Sequence, residues 1–281
     1  RLAISHYKVG KRILENIGYS ESEATALYGQ LNGKYVTLTT LPVSISTAIA
    51  TAVLPSIAAS NRLGERKQVN RKMNLTMRVS MIISVPAAVG IGALGPQILA
   101  MLFPNASEGG ILLTVGAISI LFLALCQTAT GVLQGIGCIK VPVVGALMGA
   151  VVKVVLNAVL IPIPALNVIG AVLSTTGCYL VASAFDVWML SKITRVRFDF
   201  GRILLKPIIG SVIMGAAALG VYHGFYYLLP YNTLCTLTAI VIGMVVYGFV
   251  MVLIGGIQEE DLQSVPMGGR MIRLCRKLHL M

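Results

Sequence analysis

The sequence predicts an all-α protein, a bundle of about seven helices that cross a membrane. Three observations lead there. Of the 281 residues, 56% are apolar and 11% charged, with a mean hydropathy of +0.85, too little polar side chain to cover a soluble domain of this length. Apolar runs of the ~18 or more residues that a membrane crossing needs recur along most of the chain. They come in blocks, without the alternation of a membrane β-barrel. The basic residues behind the net charge of +12 sit in short stretches between those blocks, as the positive-inside rule expects. That distribution excludes a nucleic-acid partner and makes the lipid bilayer the first one.

The chain divides into a mixed opening segment (residues 1–34), a five-helix membrane core (35–190), a basic cytoplasmic loop (191–206), a terminal helix pair (207–256) and a basic amphipathic tail (257–281). It opens on Arg1 with no signal-peptide pattern, which reads as a start within a longer protein. Residues 8–14 look like the end of an earlier helix. Ser20 and Glu23 make a capping box for the next one. That helix leads into a first span over 35–59, with Pro42 and Pro55 as kinks whose freed carbonyls need other partners.

A loop over 61–72 follows, with Arg62, Arg66, Lys67, Arg71 and Lys72 against Glu65, and so reads as cytoplasmic. The second span (73–98) carries Pro86 near its middle, and Arg78 near its inner end reads as a snorkelling anchor. Residues 103–110 contain no Lys or Arg and read as an outer turn. Two long apolar segments, 111–136 and 141–161, are joined by a tight inner turn at Gly135 and Gly137, with Pro142 just beyond. The fifth span (169–190) ends at the second basic loop, with Lys192, Arg195, Arg197, Arg202 and Lys206. The sixth (207–229) and seventh (233–256) complete the set, and the tail around Arg273, Arg276 and Lys277 suits an anionic inner leaflet. With the C-terminus inside, the first span starts outside. Lys8, Lys11, Arg12 and Lys34 then fall on the outer side, where they line an aqueous space or answer to an earlier helix.

Lys153 is the charge that needs explaining. It lies thirteen residues past Lys140, ~20 Å at ~1.5 Å per residue, beyond the middle of a ~30 Å hydrocarbon layer. Gly145, Gly149, Lys153 and Asn157 fall on one helical stripe, its glycine end suited to close helix packing and its polar end to something other than lipid. Either the ammonium pairs with a carbonyl or carboxylate inside the bundle, or it faces a cavity that receives an anionic substrate. Asp186, the one acid inside a span, reads as a helix-end carboxylate paired with Lys192 or Arg195. Gln127 and Gln134 share a face, Gln127 for bonding between helices and Gln134 for lining a cavity. His223 belongs with Tyr222, Tyr226 and Tyr227 in an interfacial aromatic belt. The five cysteines are scattered, without metal spacing. No enzyme motif, nucleotide site, cofactor site or metal site is visible.

Several stretches resemble the polysaccharide transporter family, which includes stage V sporulation protein B and shares a superfamily with lipid II flippases and multidrug and toxin extrusion transporters. They are residues 24–31, Leu41-Pro42, 50–58, 85–90, Leu102-Phe103-Pro104, the turn Gly131 to Gly137 with Pro142, Lys153 with Asn157, Glu259-Glu260-Asp261 and Val265-Pro266. The resemblance implies a flippase for lipid-linked sugar precursors, built of two lobes that rock around a partly cationic cleft. It implies that this chain is the second lobe plus two terminal helices, its partner a first lobe from the same gene or another chain. Lys34 and Lys153 then become the residues that attract a lipid-linked diphosphate, with Gln134 and Asn157 beside them. Two other functions stay open: a cation-coupled drug exporter relying on Asp186, and a non-transporting scaffold for cell-wall or spore assembly acting through its basic loops and tail.

Overall fold

The computed structural model describes residues 29–256, apart from 105–108, 164–165, 196–197 and 229–230. The capping box at Ser20 and Glu23, the helix end before it, Lys8, Lys11 and Arg12, Arg197 and the basic tail lie outside the described residues. Among the described residues, seven helical stretches are long and apolar enough to cross a membrane, and the chain is a multi-pass membrane protein.

The π-helical turn Gln30–Val36 runs without a break into α1 (Thr37–Arg62), which contains Pro42 and Pro55. Only Leu63, Gly64 and Glu65 separate it from α2 (Arg66–Leu102). The predicted loop over 61–72 is therefore mostly helix: Arg66, Lys67, Arg71 and Lys72 ride on the first turns of α2, which is 37 residues long, or ~55 Å at ~1.5 Å per residue, and outruns the ~30 Å apolar layer. The dihedral break in α2 comes at Leu94 (φ −109°, ψ 19°), two residues before Pro96 and well past Pro86. A proline ring crowds the preceding turn and removes a donor there.

The segment predicted as one helix over 111–136 is two, α3 (Gly110–Gly116) and α4 (Ile118–Gly135), separated at Ala117. The freed Gly116 carbonyl accepts from Ser119 Oγ at 2.6 Å, and Tyr35 Oη shares a 2.8 Å hydrogen bond with the same Ser119 hydroxyl. A break inside the membrane persists because its polar groups are satisfied in this way. Gly137, at φ 86°, takes the left-handed conformation that turns α4 into α5 (Lys140–Leu160). Pro142 sits in the first turn of α5, where the missing N–H costs nothing. Then come α6 (Asn167–Thr194), a π-helical turn Gly201–Leu205, α7 (Lys206–Leu228) and α8 (Asn232–Leu253).

Helix α2 is the axis of the bundle. It packs against α1, α3 and α4 on one side and the α7–α8 pair on the other, while α5 touches the rest chiefly through α6. The main core gathers Ile57, Met73, Met77, Met81, Ile120, Leu133 and Leu190. Hydroxyl pairs stitch the helices across it: Ser46 to Ser84 at 2.8 Å joins α1 to α2, and Ser80 to Thr128 at 2.7 Å joins α2 to α4. Such pairs suit a bundle in lipid, where apolar contact alone discriminates poorly between helices. Two lysines finish helix ends. Lys72 Nζ donates to the Ser56 carbonyl (3.1 Å) and to Ser60 Oγ (2.8 Å), and Lys206 Nζ to the Gly255 carbonyl (2.8 Å).

Candidate functional site

The stripe of α5 faces α6. A Cβ built on Gly145 would stand 2.6 Å from Asp186 Oδ1, and one on Gly149 2.7 Å from the Cys178 carbonyl, so only glycine admits this approach. Further along the stripe, Lys153 is half-buried, its ammonium within electrostatic range of the Cys178 thiol. It has no hydrogen bond or ion pair among the described residues. Asn157 Oδ1 is buried and has no hydrogen-bond partner there either. The opposite side of α5 is an exposed apolar face, with Val143, Leu147, Val151 and Val155 each more than half exposed.

Asp186 is 1% exposed. Thr130 Oγ1 of α4 donates to its Oδ2 at 3.2 Å, and its Oδ1 is unpartnered among the described residues. The expected pairing with Lys192 or Arg195 is therefore incorrect. Those residues lie roughly 120° and 180° around the helix from Asp186 at ~100° per residue. Lys192 instead stands 5.1 Å over the Trp188 ring.

On α1 the outward face carries Ser44, Ala48, Thr51, Pro55 and Ser56, with Leu41 and Ile45 toward its start. Ser44 and Thr51 donate to carbonyls one turn back, at 2.9 Å each, and keep acceptor lone pairs outward. Gly131 and Gly135 bring α4 onto Ala50 and Leu54 of α1. Gln127 and Gln134, on the adjoining side of α4, are exposed and hydrogen-bonded to nothing among the described residues. Gln127 therefore does not bridge helices here.

The four substrate-binding candidates do not converge on one point. Lys34 stands where α1 begins, 5.6 Å from the Phe103 ring centroid, at the end away from the basic loops. Gln134 lies at the basic end, beside the turn into α5, and Lys153 with Asn157 lies on the α5–α6 seam. What the residue-by-residue reading missed is the hydroxyl face of α1, whose only signal is Ser44 and Thr51 seven residues apart. His223 Nδ1 lies 2.9 Å from the Leu219 carbonyl, edge-on to Tyr222, which stacks with Tyr226. Among the described residues no group of His, Cys, Asp and Glu could hold a metal ion.

Comparison with known proteins supplies the context for this surface. The family model "Lipid II flippase MurJ" matches residues 34–229. The chain is also 32% identical over 197 residues to the uncharacterized membrane protein YabM of Bacillus subtilis (strain 168), an alignment covering 68% of this chain and 36% of that protein. The chain thus spans about a third of the length of that curated relative. The matched residues run from Lys34 through α7, taking in the α1 face, the glutamines of α4 and the α5–α6 seam. The chain belongs to the lipid II flippase MurJ family, whose members are membrane transporters rather than enzymes.

Proposed function

We propose that this chain forms one lobe of a flippase that moves a lipid-linked oligosaccharide or peptidoglycan precursor across the bacterial cytoplasmic membrane by alternating access, with its C-terminus on the cytoplasmic side. The observation that carries this reading is the contrast between two exposed helix faces. Past Lys140, that of α5 is Val, Leu, Met and Ala and suits lipid tails, while that of α1 is mostly small and hydroxyl-bearing and suits a wet cleft. Leu41 and Ile45 give the same face apolar contact for a lipid tail. A cleft wall needs an opposing wall, supplied by a first lobe from the same protein or a partner chain. Lys34 and Lys153 supply positive charge for the diphosphate, and Gln134 and Asn157 supply amides. The prolines at 42, 55 and 86 and the Gly135–Gly137 turn before Pro142 serve as the places where the lobe bends. That turn also supports a polysaccharide transporter of the stage V sporulation protein B type.

The test is flipping of a fluorescent lipid-linked disaccharide diphosphate in proteoliposomes made with the full-length protein. Ser44→Leu with Thr51→Leu should lower the rate at least about tenfold, a loss of ~1.4 kcal/mol of transition-state stabilisation, and Lys153→Ala should lower it too. Unchanged flipping in both variants would refute the reading.

A cation-coupled drug exporter is the second reading, favoured by one observation: no Lys or Arg among the described residues neutralises Asp186. If Asp186→Asn abolished efflux of an organic cation, that reading would take first place.

A further inference from the structure

At the basic end of the bundle a cavity of about 480 Å³ opens between the α1–α2 turn, the α4–α5 turn and the end of α6. Arg66, at the start of α2, and Arg195, at the end of α6, both line it, together with Asn61, Asn70 and Cys138. We propose that this cavity binds a phosphate-bearing anion, held between the Arg66 and Arg195 guanidiniums, and that its source is the headgroup of an anionic phospholipid.

The charge count comes first. Among the described residues neither guanidinium enters an ion pair, whereas Arg202 pairs with Asp199 at 3.2 Å. Two arginines facing one cavity without a carboxylate repel each other, and an anion between them removes that cost while accepting planar, two-pronged hydrogen bonds. Hydrogen-bond supply comes next. The side-chain amides of Asn61 and Asn70 bond to nothing among the described residues and so have donors to offer. The first turn of α2 begins at Arg66 itself, and Glu65 makes no side-chain cap there, which adds the positive end of a 37-residue helix. The Thr194 hydroxyl is already committed to the Leu190 carbonyl at 2.6 Å and is not needed.

Backbone conformation points the same way. Arg195 ends α6 at φ 55°, ψ 27°, the one non-glycine residue with positive φ among those described. Glycine would hold that turn without the ~1–2 kcal/mol that a side chain costs there, so the guanidinium is kept against the local preference.

The walls favour a lipid over a free ion. Val69, Ile136 and Ile193 contribute apolar surface to its lining. Leu63 and Ile139, each adjacent in the chain to a lining residue, are 74% and 62% exposed. A headgroup phosphate can enter between the arginines while its acyl chains run along that apolar rim.

Cys138 lines the cavity and is a free thiol, which supplies a readout independent of transport. The test uses full-length protein with Cys138 as its only cysteine, in nanodiscs of phosphatidylcholine with or without phosphatidylglycerol, and measures the rate of maleimide alkylation. Phosphatidylglycerol should slow alkylation about fivefold or more. The slowing should vanish in Arg66→Gln combined with Arg195→Gly, the glycine being chosen because it fits the left-handed backbone and leaves the turn intact. Adding inorganic phosphate to pure phosphatidylcholine discs separates the two sources. Slowing by phosphate alone keeps the anion site and overturns the lipid assignment. Equal rates under all conditions, or slowing that persists in the double variant, overturn the site itself.

Discussion

Thr130 of α4 donates its hydroxyl to Asp186 Oδ2 of α6, while the other oxygen of that carboxylate lies where a Gly145 side chain would have to go. One acid thus fixes the spacing of three helices. It does so without a cation beside it among the described residues, an arrangement costly for a charged group in a low-dielectric interior.

Asp186→Asn should therefore leave stability unchanged or raise it, because the amide keeps the acceptor for Thr130 and removes an ionisable group. Thr130→Val should lower stability by about 1 kcal/mol, the usual scale of a hydrogen bond between membrane helices. Denaturant unfolding in detergent, followed through the single Trp188, reads both. A large loss in Asp186→Asn would mean that the carboxylate has a cationic partner.

Gly145→Val and Gly149→Val should each lower stability by about 1–3 kcal/mol, the range for overpacking a closed contact, since their Cβ atoms would start at 2.6 and 2.7 Å from α6. Val151→Ala, at a residue 64% exposed on the other face of the same helix, should stay within about 0.5 kcal/mol. The pair of results distinguishes a packed seam from a lipid face on one helix.

Gly116→Ala should be more harmful than Tyr35→Phe. The new methyl would meet the Tyr35 ring and Val172 together, displacing the ring that satisfies the break between α3 and α4, whereas Tyr35→Phe removes one hydroxyl worth about 1 kcal/mol. Comparing the two unfolding midpoints checks the order.

Asn232 receives the Tyr222 hydroxyl at 2.9 Å and donates to the Gln97 carbonyl at 3.2 Å, tying α7 and α8 to α2. Asn232→Leu should cost about 2–3 kcal/mol, because it removes these two hydrogen bonds and the one from the Thr236 hydroxyl (3.3 Å) and leaves the Tyr222 hydroxyl without its acceptor. The loosening should be local, so limited proteolysis should first release the α7–α8 pair.

The spans and the glycine stripe of α5 were legible because each rests on local information, an apolar run or a residue every fourth position. The boundaries were less so, because Arg66 to Lys72 read as a loop by charge while their snorkelling stems let them sit on helix α2. The break at Ala117 was not legible at all. No proline marks it, and the Ser119 hydroxyl that satisfies its carbonyl is itself held by Tyr35, 84 residues away. The environment of Asp186 failed for the same reason. Its nearest cations in sequence are on the far side of its own helix, and its true partner, Thr130, is 56 residues away. Lys153 was visible as an anomaly from composition alone, yet what stands beside it depends on how α5 seats on α6.

Lys72 and Lys206 each serve twice. Their charges belong to the basic segments that orient a nascent chain in the membrane, and their ammonium groups also close the ends of α1 and α8 by hydrogen bonding to carbonyls and a serine hydroxyl. Biogenesis and maturation of this protein therefore draw on the same two side chains. The two roles can be separated chemically. Glutamine in place of Lys72 keeps a donor but gives up the topological vote, whereas a lysine restored elsewhere in the α1–α2 turn returns the vote without the donor. Inverted chains and frayed helices, normally confounded in a single poorly expressing variant, become separable outcomes at these positions.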